Sequence, residues 1–189
     1  SVVEVLKNGM LTQGPKVEEF EALIAHKVDA KHAVAVSSGT AALHLACQVA
    51  GLTSGDKLIT SANTFVASAN AAEYLNASPS FCDIDDTTLN MSINELKEKV
   101  ESLENLKIIM PVHFAGAPCD VKAIQQIAKK QNSIIIEDAS HALGASIRNI
   151  PIGKSNYSSA SVFSFHPVKM ITTGEGGAVI LRSDNLVKK

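Results

Sequence analysis

Short apolar runs alternate along the whole chain with segments of helical periodicity, and each apolar run ends in a polar cluster. That alternation marks a mostly parallel sheet covered by helices, because strands buried on both faces read as continuous apolar runs. It predicts strands at 33–36, 57–60, 79–83, 107–112, 133–137, 160–165 and 178–182. Helices are predicted over 40–50, from about 66 to 75, and over 93–103 and 121–130; Val17, Phe20, Leu23, Ile24 and Val28 recur at helical spacing ahead of the first strand. No internal repeat, low-complexity tract or long linker interrupts the pattern. The expected fold is therefore α/β, a three-layer arrangement with helices on both faces of the sheet, in one domain over residues 1–189.

In open parallel sheets ligands bind outside the carboxyl ends of the strands, so the polar clusters there are the candidate site. Six follow strands: residues 37–40, 61–65, 83–85, 113–116, 138–141 and 164–169. Ser38-Gly39-Thr40 opens a helix whose first amides lack internal partners, which suits a phosphate; for the triplet taken alone, a plain helix cap at Ser38 or Thr40 is the favoured explanation. Ser164 could donate to the same phosphate or be an exposed strand-end serine. Lys169, in the polar and glycine-rich run Ser164-Phe-His-Pro-Val-Lys169-Met-Ile-Thr-Thr-Gly-Glu-Gly-Gly177, places an amine where it could hold an aldehyde. Glu137-Asp138-Ala-Ser-His141 places a carboxylate at a comparable strand end.

Composition excludes several other classes. A formal net charge of -2 leaves no basic excess for a nucleic acid partner. No apolar run approaches the roughly 18 residues of a membrane span, and no basic-then-apolar start resembles a signal peptide; the expected location is cytoplasmic, with no membrane partner. Cys47, Cys82 and Cys119 lack the paired spacing of a zinc site or a redox pair and read as reduced structural cysteines. Asp83 and Asp85 have no neighbouring histidine or glutamate to complete a metal site, so no metal is expected. His26, His32 and His44 sit in helical or helix-end contexts and read as structural. The start at Ser1 without a methionine, and the end at Lys188-Lys189 just after a strand, read as part of a longer protein.

Leu11-Thr-Gln-Gly14 with Glu18-Glu-Phe20, Ser37-Ser-Gly-Thr-Ala-Ala-Leu-His-Leu45, Thr64-Phe65 with Asn70, Glu137-Asp-Ala-Ser-His-Ala142, and Ser164-Phe-His-Pro-Val-Lys169 with Thr173-Gly-Glu-Gly-Gly177 cover nearly the whole chain. In order and spacing they resemble the pyridoxal 5'-phosphate-dependent aminotransferases of aspartate aminotransferase fold, in the DegT/DnrJ/EryC1/StrS branch that aminates nucleotide-linked keto-sugars. The run ending at Lys169, with its Thr-Thr-Gly-Glu-Gly-Gly sequel, is most similar to the members that serve pseudaminic acid biosynthesis on a UDP-linked 4-keto-6-deoxy sugar.

The resemblance implies roles. Lys169 would form a Schiff base with the cofactor aldehyde and later carry a proton, and Asp138 would pair with the pyridine nitrogen and keep it protonated. Ser38, Gly39, Thr40, Ala41 and Ser164 would hold the phosphate. Phe65 would stack on the ring, and His141 would touch the ring hydroxyl or the stacked face. For Phe65 a helix-start core position is an alternative, and for His141 a structural histidine. Thr12, Gln13 and Gly14 resemble a substrate-contacting entrance loop, or form a turn before a helix capped near 14–16. His166 and Pro167 shape the turn that presents Lys169.

The family also implies a nucleotide-sugar substrate, an amino donor such as glutamate, a smaller carboxyl-terminal domain absent here, and a homodimer whose sites borrow residues from the partner. Related sugar dehydratases carry histidine in place of the lysine, and Lys169 argues against that chemistry. A non-catalytic nucleotide-binding module is a weaker fit, since Gly174-Glu-Gly-Gly177 has neither the dinucleotide fingerprint nor the phosphate-loop pattern.

Overall fold

The computed structural model describes residues 2–154 and 156–182. Seven strands form one sheet: β1 (His32–Val36), β2 (Lys57–Ser61), β3 (Ser78–Cys82), β4 (Leu106–Met110), β5 (Ile134–Asp138), β8 (Ala160–Ser164) and β9 (Gly177–Leu181). A small hairpin, β6 (Ser146–Ile147) and β7 (Ile150–Pro151), lies between β5 and β8 in sequence. The order across the sheet is β1-β9-β8-β5-β4-β2-β3. Every pairing from β8 to β3 is parallel, while β9 runs antiparallel to both β8 and β1.

The reversal at β9 follows from its connection. A parallel return needs a crossover of a dozen or more residues, usually helical. Residues 165–176 join β8 to β9 with no helix, so the chain turns straight back. That turn carries Lys169.

Strand alternation sends neighbouring side chains to opposite faces. On one face Leu58, Ile108, Met110, Ile136, Val162 and Val179 form a core with the helices α3 (Gly39–Val49) and α4 (Ala67–Glu73), through Leu43, Ala46, Ala71 and Ala72. On the other face Ile59, Ile109 and Ile135 pack with Leu96 and Val100 of α5 (Ile93–Glu101) and Ile124 and Ile127 of α6 (Val121–Gln131). A third cluster joins Ile24 of α2 (Pro15–Lys27) to Phe163, Phe165 and Ile180, and Phe20 meets Phe165 edge-on at 5.0 Å. Helices on both faces of a mostly parallel sheet are the predicted three layers.

The predicted strands lie within two residues of the observed ends. The short helix α1 (Val2–Asn8) was not predicted; it buries no residue. The two-residue strands β6 and β7 are too short to leave an alternating pattern. Pro79 is tolerated in β3 because β3 is an edge strand. Among the described residues no helix is long and apolar enough to cross a membrane, and no group of three or more His, Cys, Asp or Glu could hold a metal ion.

Candidate active site

The carboxyl ends of β1, β2, β4, β5 and β8 open onto a cavity of about 410 Å³, within the range of small-molecule and cofactor sites. Five of the six predicted clusters contribute to its wall. The sixth, at 83–85, does not: β3 is the edge strand far from β8, and Asp85 instead ties its own turn, its Oδ1 accepting from the Thr87 and Thr88 amides at 3.1 and 2.9 Å.

α3 packs against β8 and β9 and thereby carries its first turn over the end of β8. Ser38, in extended conformation, is the N-cap, and its Oγ accepts the Ala41 amide at 3.1 Å. The amides of Gly39 and Thr40, the first two helical positions, have no acceptor inside the helix. A Cβ on Gly39 would lie 2.9 Å from the Ser164 Cβ, so only glycine lets the helix start sit against the β8 terminus. On the other side, a Cβ on Gly177 would fall 2.4 Å from the Ser38 carbonyl carbon. Ser38, Gly39, Thr40 and Ser164 therefore share one corner of the cavity. Ala41 does not join them, because its amide is taken by Ser38 Oγ and it lies outside the wall.

Another part of the wall is carboxylate and imidazole. Asp138 is 4% exposed and ends β5. Its amide donates to the Pro111 carbonyl at 2.9 Å and its carbonyl accepts the His113 amide at 3.0 Å, so β4 and its sequel clamp the backbone on both sides. Oδ1 accepts from the Ser140 amide at 3.1 Å and the Ser140 Oγ at 2.7 Å. Oδ2 accepts from Ser68 Oγ at 2.7 Å, and Ser68 lies 2.7 Å from Thr64 Oγ1. His141 is half-buried in the wall; burial lowers its pKa, the nearby Lys169 charge adds to the effect, and Asp138 opposes it.

Lys169 joins the same wall from the β8–β9 turn. The turn is closed at its base: the Phe165 amide donates to the Gly176 carbonyl at 2.8 Å, and the Thr173 amide to the Phe165 carbonyl at 3.1 Å. At the tip the Lys169 amide donates to the His166 carbonyl at 2.9 Å, and His166 Nδ1 accepts the Val168 amide at 3.3 Å. His166 thus holds the turn with its ring and its carbonyl, and its Nε2 lies 3.6 Å from Glu175 Oε1. Burial lowers the Lys169 pKa from the ordinary lysine value, and the negative charge of Asp138 works against that shift. Phe65, at the mouth, is 72% exposed, so its ring offers an uncovered apolar face to the cavity. It is not the core residue that the alternative reading allowed.

Thr12, Gln13 and Gly14 are not in the wall. Thr12 and Gln13 are exposed, and Gly14 is the N-cap of α2 with Pro15 at its first turn, so the turn-before-a-helix reading describes them. Sequence reasoning assigned no role to Ser68 and none to Ser140 alone. Thr64 lies just ahead of α4 and Ser68 in its first turn, and nothing local announces that Asp138 lies above them.

Glu137 precedes Asp138 and points to the other face. It is fully buried; His113 Nδ1 accepts the Cys119 amide at 3.0 Å, leaving Nε2 to donate to Glu137 at 2.9 Å. Ser158 and Ser161 donate to the same carboxylate, and the Arg182 guanidinium reaches it at 3.4 Å. Burial works to raise the Glu137 pKa, but the hydrogen bonds from His113 and Ser158 and the Arg182 charge outweigh it and hold the carboxyl below its ordinary range.

Residues 1–189 match the profile of the DegT/DnrJ/EryC1/StrS aminotransferase family. The chain is 42% identical over 188 residues to the spore coat polysaccharide biosynthesis protein SpsC of Bacillus subtilis (strain 168), covering 100% of this chain and 47% of that one. It is 40% identical over 177 residues to the UDP-4-amino-4-deoxy-L-arabinose--oxoglutarate aminotransferase of Shewanella sediminis (strain HAW-EB3), covering 94% and 44%. Among solved structures, DesV of S. venezuelae superposes with a TM-score of 0.93 at 32% identity, over 99% of this chain and 50% of that one. PseC of Helicobacter pylori, an aminotransferase of pseudaminic acid biosynthesis, gives 0.90 at 33% over 99% and 50%. The sugar aminotransferase Spr1654 of Streptococcus pneumoniae in its PLP-form gives 0.90 at 31% over 98% and 50%. The chain spans about half the length of the relatives it matches.

Proposed function

The chain belongs to the DegT/DnrJ/EryC1/StrS aminotransferase family, and from that premise we propose that its protein moves an amino group, from glutamate, to a nucleotide-linked 4-keto-6-deoxy sugar. The family's aminotransferases depend on pyridoxal 5'-phosphate. The observation that carries the reading is the meeting of Lys169, Asp138 and the α3 start in one cavity.

The residues present fit this cofactor. The Gly39 and Thr40 amides and the Ser164 hydroxyl converge where Gly39 has no Cβ, a corner suited to a phosphate. Bound pyridoxal phosphate would supply an aldehyde for amine exchange and a ring that withdraws electrons from the reacting carbon. Phe65 would cover one face of that ring. Asp138, an acceptor held by three donors, would bind the protonated ring nitrogen and hold its proton in place. Burial favours the neutral Lys169 amine, so Nζ can attack as a nucleophile and, once free, take and return a proton. His141, with its pKa lowered, would meet the ring as a neutral imidazole.

For substrate class, the relative named for UDP-linked arabinose supports a UDP-sugar; a dTDP- or GDP-linked or 3-keto sugar is the alternative. Residues 1–189 would form the amino-terminal, cofactor-binding large domain of a longer cytoplasmic enzyme that acts as a homodimer with a smaller second domain. The purified full-length protein is expected to be yellow, and borohydride should fix the cofactor mass on the peptide containing Lys169. A Lys169→Ala protein that still aminates sugar would overturn the reading. A panel of keto-sugars with glutamate tests the substrate: turnover only with a sugar other than a UDP-linked 4-keto-6-deoxy one refutes that part.

A further inference from the structure

An ionised carboxylate has two oxygens and about four lone-pair sites, and it can only accept. Three sites on Asp138 are occupied. Oδ1 takes two donors from Ser140, its amide and its hydroxyl, at 3.1 and 2.7 Å. Oδ2 takes one, from Ser68 Oγ at 2.7 Å. The single acceptor site left to Asp138 is therefore on Oδ2, the oxygen that Ser68 also holds.

The direction of the hydroxyl chain is fixed by the same count. Ser68 gives its only proton to Oδ2, so the 2.7 Å contact with Thr64 Oγ1 has Thr64 as donor and Ser68 as acceptor. Thr64 is in the cavity wall, and Ser68 lies behind it with 0% exposure. Ser68 also stands out on α4, whose other buried positions, Ala67, Ala69, Ala71 and Ala72, are all alanine. A hydroxyl buried among methyl groups costs free energy unless it is paired, and here the pairing is to the Asp138 carboxylate in the cavity wall.

We propose that Ser68 is a positioning residue that, oriented by Thr64, locks the Asp138 carboxylate so that Oδ2 presents the one acceptor available to a ring nitrogen in the cavity. This rests on the cofactor reading above. Ser140 does a different job: it saturates Oδ1 and so removes that oxygen from competition. Loss of its hydroxyl still leaves its amide on Oδ1.

The test uses the full-length protein loaded with pyridoxal 5'-phosphate labelled with nitrogen-15 at the ring. The ring-nitrogen NMR shift reports whether that nitrogen carries a proton, independently of turnover. Wild type should show the protonated form. In Ser68→Ala the signal should move toward the unprotonated position at the same pH, and the cofactor dissociation constant should rise about tenfold, the size of one hydrogen bond to a charged group. Ser140→Ala should move the signal less. Thr64→Val keeps the side-chain shape and leaves Ser68 in place without its orienting donor; it should shift the signal in the same direction as Ser68→Ala, and it stands as the test if Ser68→Ala does not fold. Signals in Ser68→Ala and Thr64→Val equal to wild type, or a larger shift in Ser140→Ala than in Ser68→Ala, overturn the proposal while leaving the cofactor reading intact. A wild-type protein that binds no pyridoxal phosphate overturns both.

Discussion

Glu137 and Asp138 are adjacent carboxylates on one strand, both buried, yet they face opposite worlds. Glu137 is closed in below the sheet by His113, Ser158, Ser161 and Arg182. Asp138 is held by Ser68 and Ser140 but retains one acceptor site toward an open cavity. The difference is the period of the strand: a one-residue step exchanges the face. A saturated carboxylate can only support; one left partly unsaturated can bind. The pair therefore separates what holds the site from what the site offers.

The largest effect should come from breaking the closed side. Glu137→Ala leaves the His113 Nε2–H without its acceptor and takes the counter-charge from the Arg182 guanidinium, whose remaining acceptors on Gly153, Ser158 and Ser161 are neutral. Removing one partner of a buried charged network costs about 3–5 kcal/mol. Urea unfolding should show that loss, while Asp138→Ala, which frees only neutral serine donors, should cost about 1–3 kcal/mol and yet abolish the cofactor-linked absorbance. Equal stability losses would break the comparison. The Glu137 effect also has a pH signature. Its folded pKa is depressed below the ordinary 4.5, so its stabilisation is present above that pH and is lost as pH falls through the folded value. The stability gap between wild type and Glu137→Gln should narrow in acid below pH 4.5, and a gap that widens there would contradict the assignment.

The two carboxylates also show how far a sequence alone reaches. The strand Ile134–Asp138 and its exit into a polar loop are written in the run of isoleucines, so the location of Asp138 at a strand end was legible. Its partner Ser68 is 70 residues away, on a helix whose alanines give no hint of what lies above. The apolar pattern is blind to strand direction, so the antiparallel course of β9 was hidden even though its residues were not. It is equally blind to lateral order: the cluster at 83–85 has the same local look as the other five and fails to reach the cavity only because β3 is at the edge. Thr12 to Gly14 and Ala41 were assigned to the site by resemblance, whereas local backbone roles, a helix cap and a capped amide, describe them.

On the open side the next effect is steric. Gly39→Ala puts a methyl 2.9 Å from the Ser164 Cβ, at a junction of helix start and strand end where neither backbone is free to move. Overpacking of this kind costs about 1–3 kcal/mol, and because it also pries the corner open, phosphate-dependent cofactor affinity should fall with it. Calorimetric binding and thermal unfolding measured on the same sample separate the two. A variant that loses stability but keeps full affinity would place the phosphate corner elsewhere and weaken the contrast between the two sides.

The smallest effect divides structure from binding within a single residue. Ser38 caps α3 through its hydroxyl, and Ser→Ala at an N-cap costs about 1 kcal/mol. That hydroxyl is already engaged with the Ala41 amide, whereas the Gly39 and Thr40 amides have no acceptor inside the helix. Ser38→Ala should therefore lower the unfolding midpoint modestly and leave the cofactor dissociation constant within about twofold of wild type, a difference of roughly 0.4 kcal/mol on the scale where tenfold is 1.4. Ser38→Gly, which keeps a good capping backbone, should recover most of the stability. If Ser38→Ala instead loosens the cofactor tenfold while Ser38→Gly does the same, the hydroxyl binds phosphate directly. The cap and the anchor would then be one group, and the open side of the sheet would owe its ligand to a side chain as much as to the backbone.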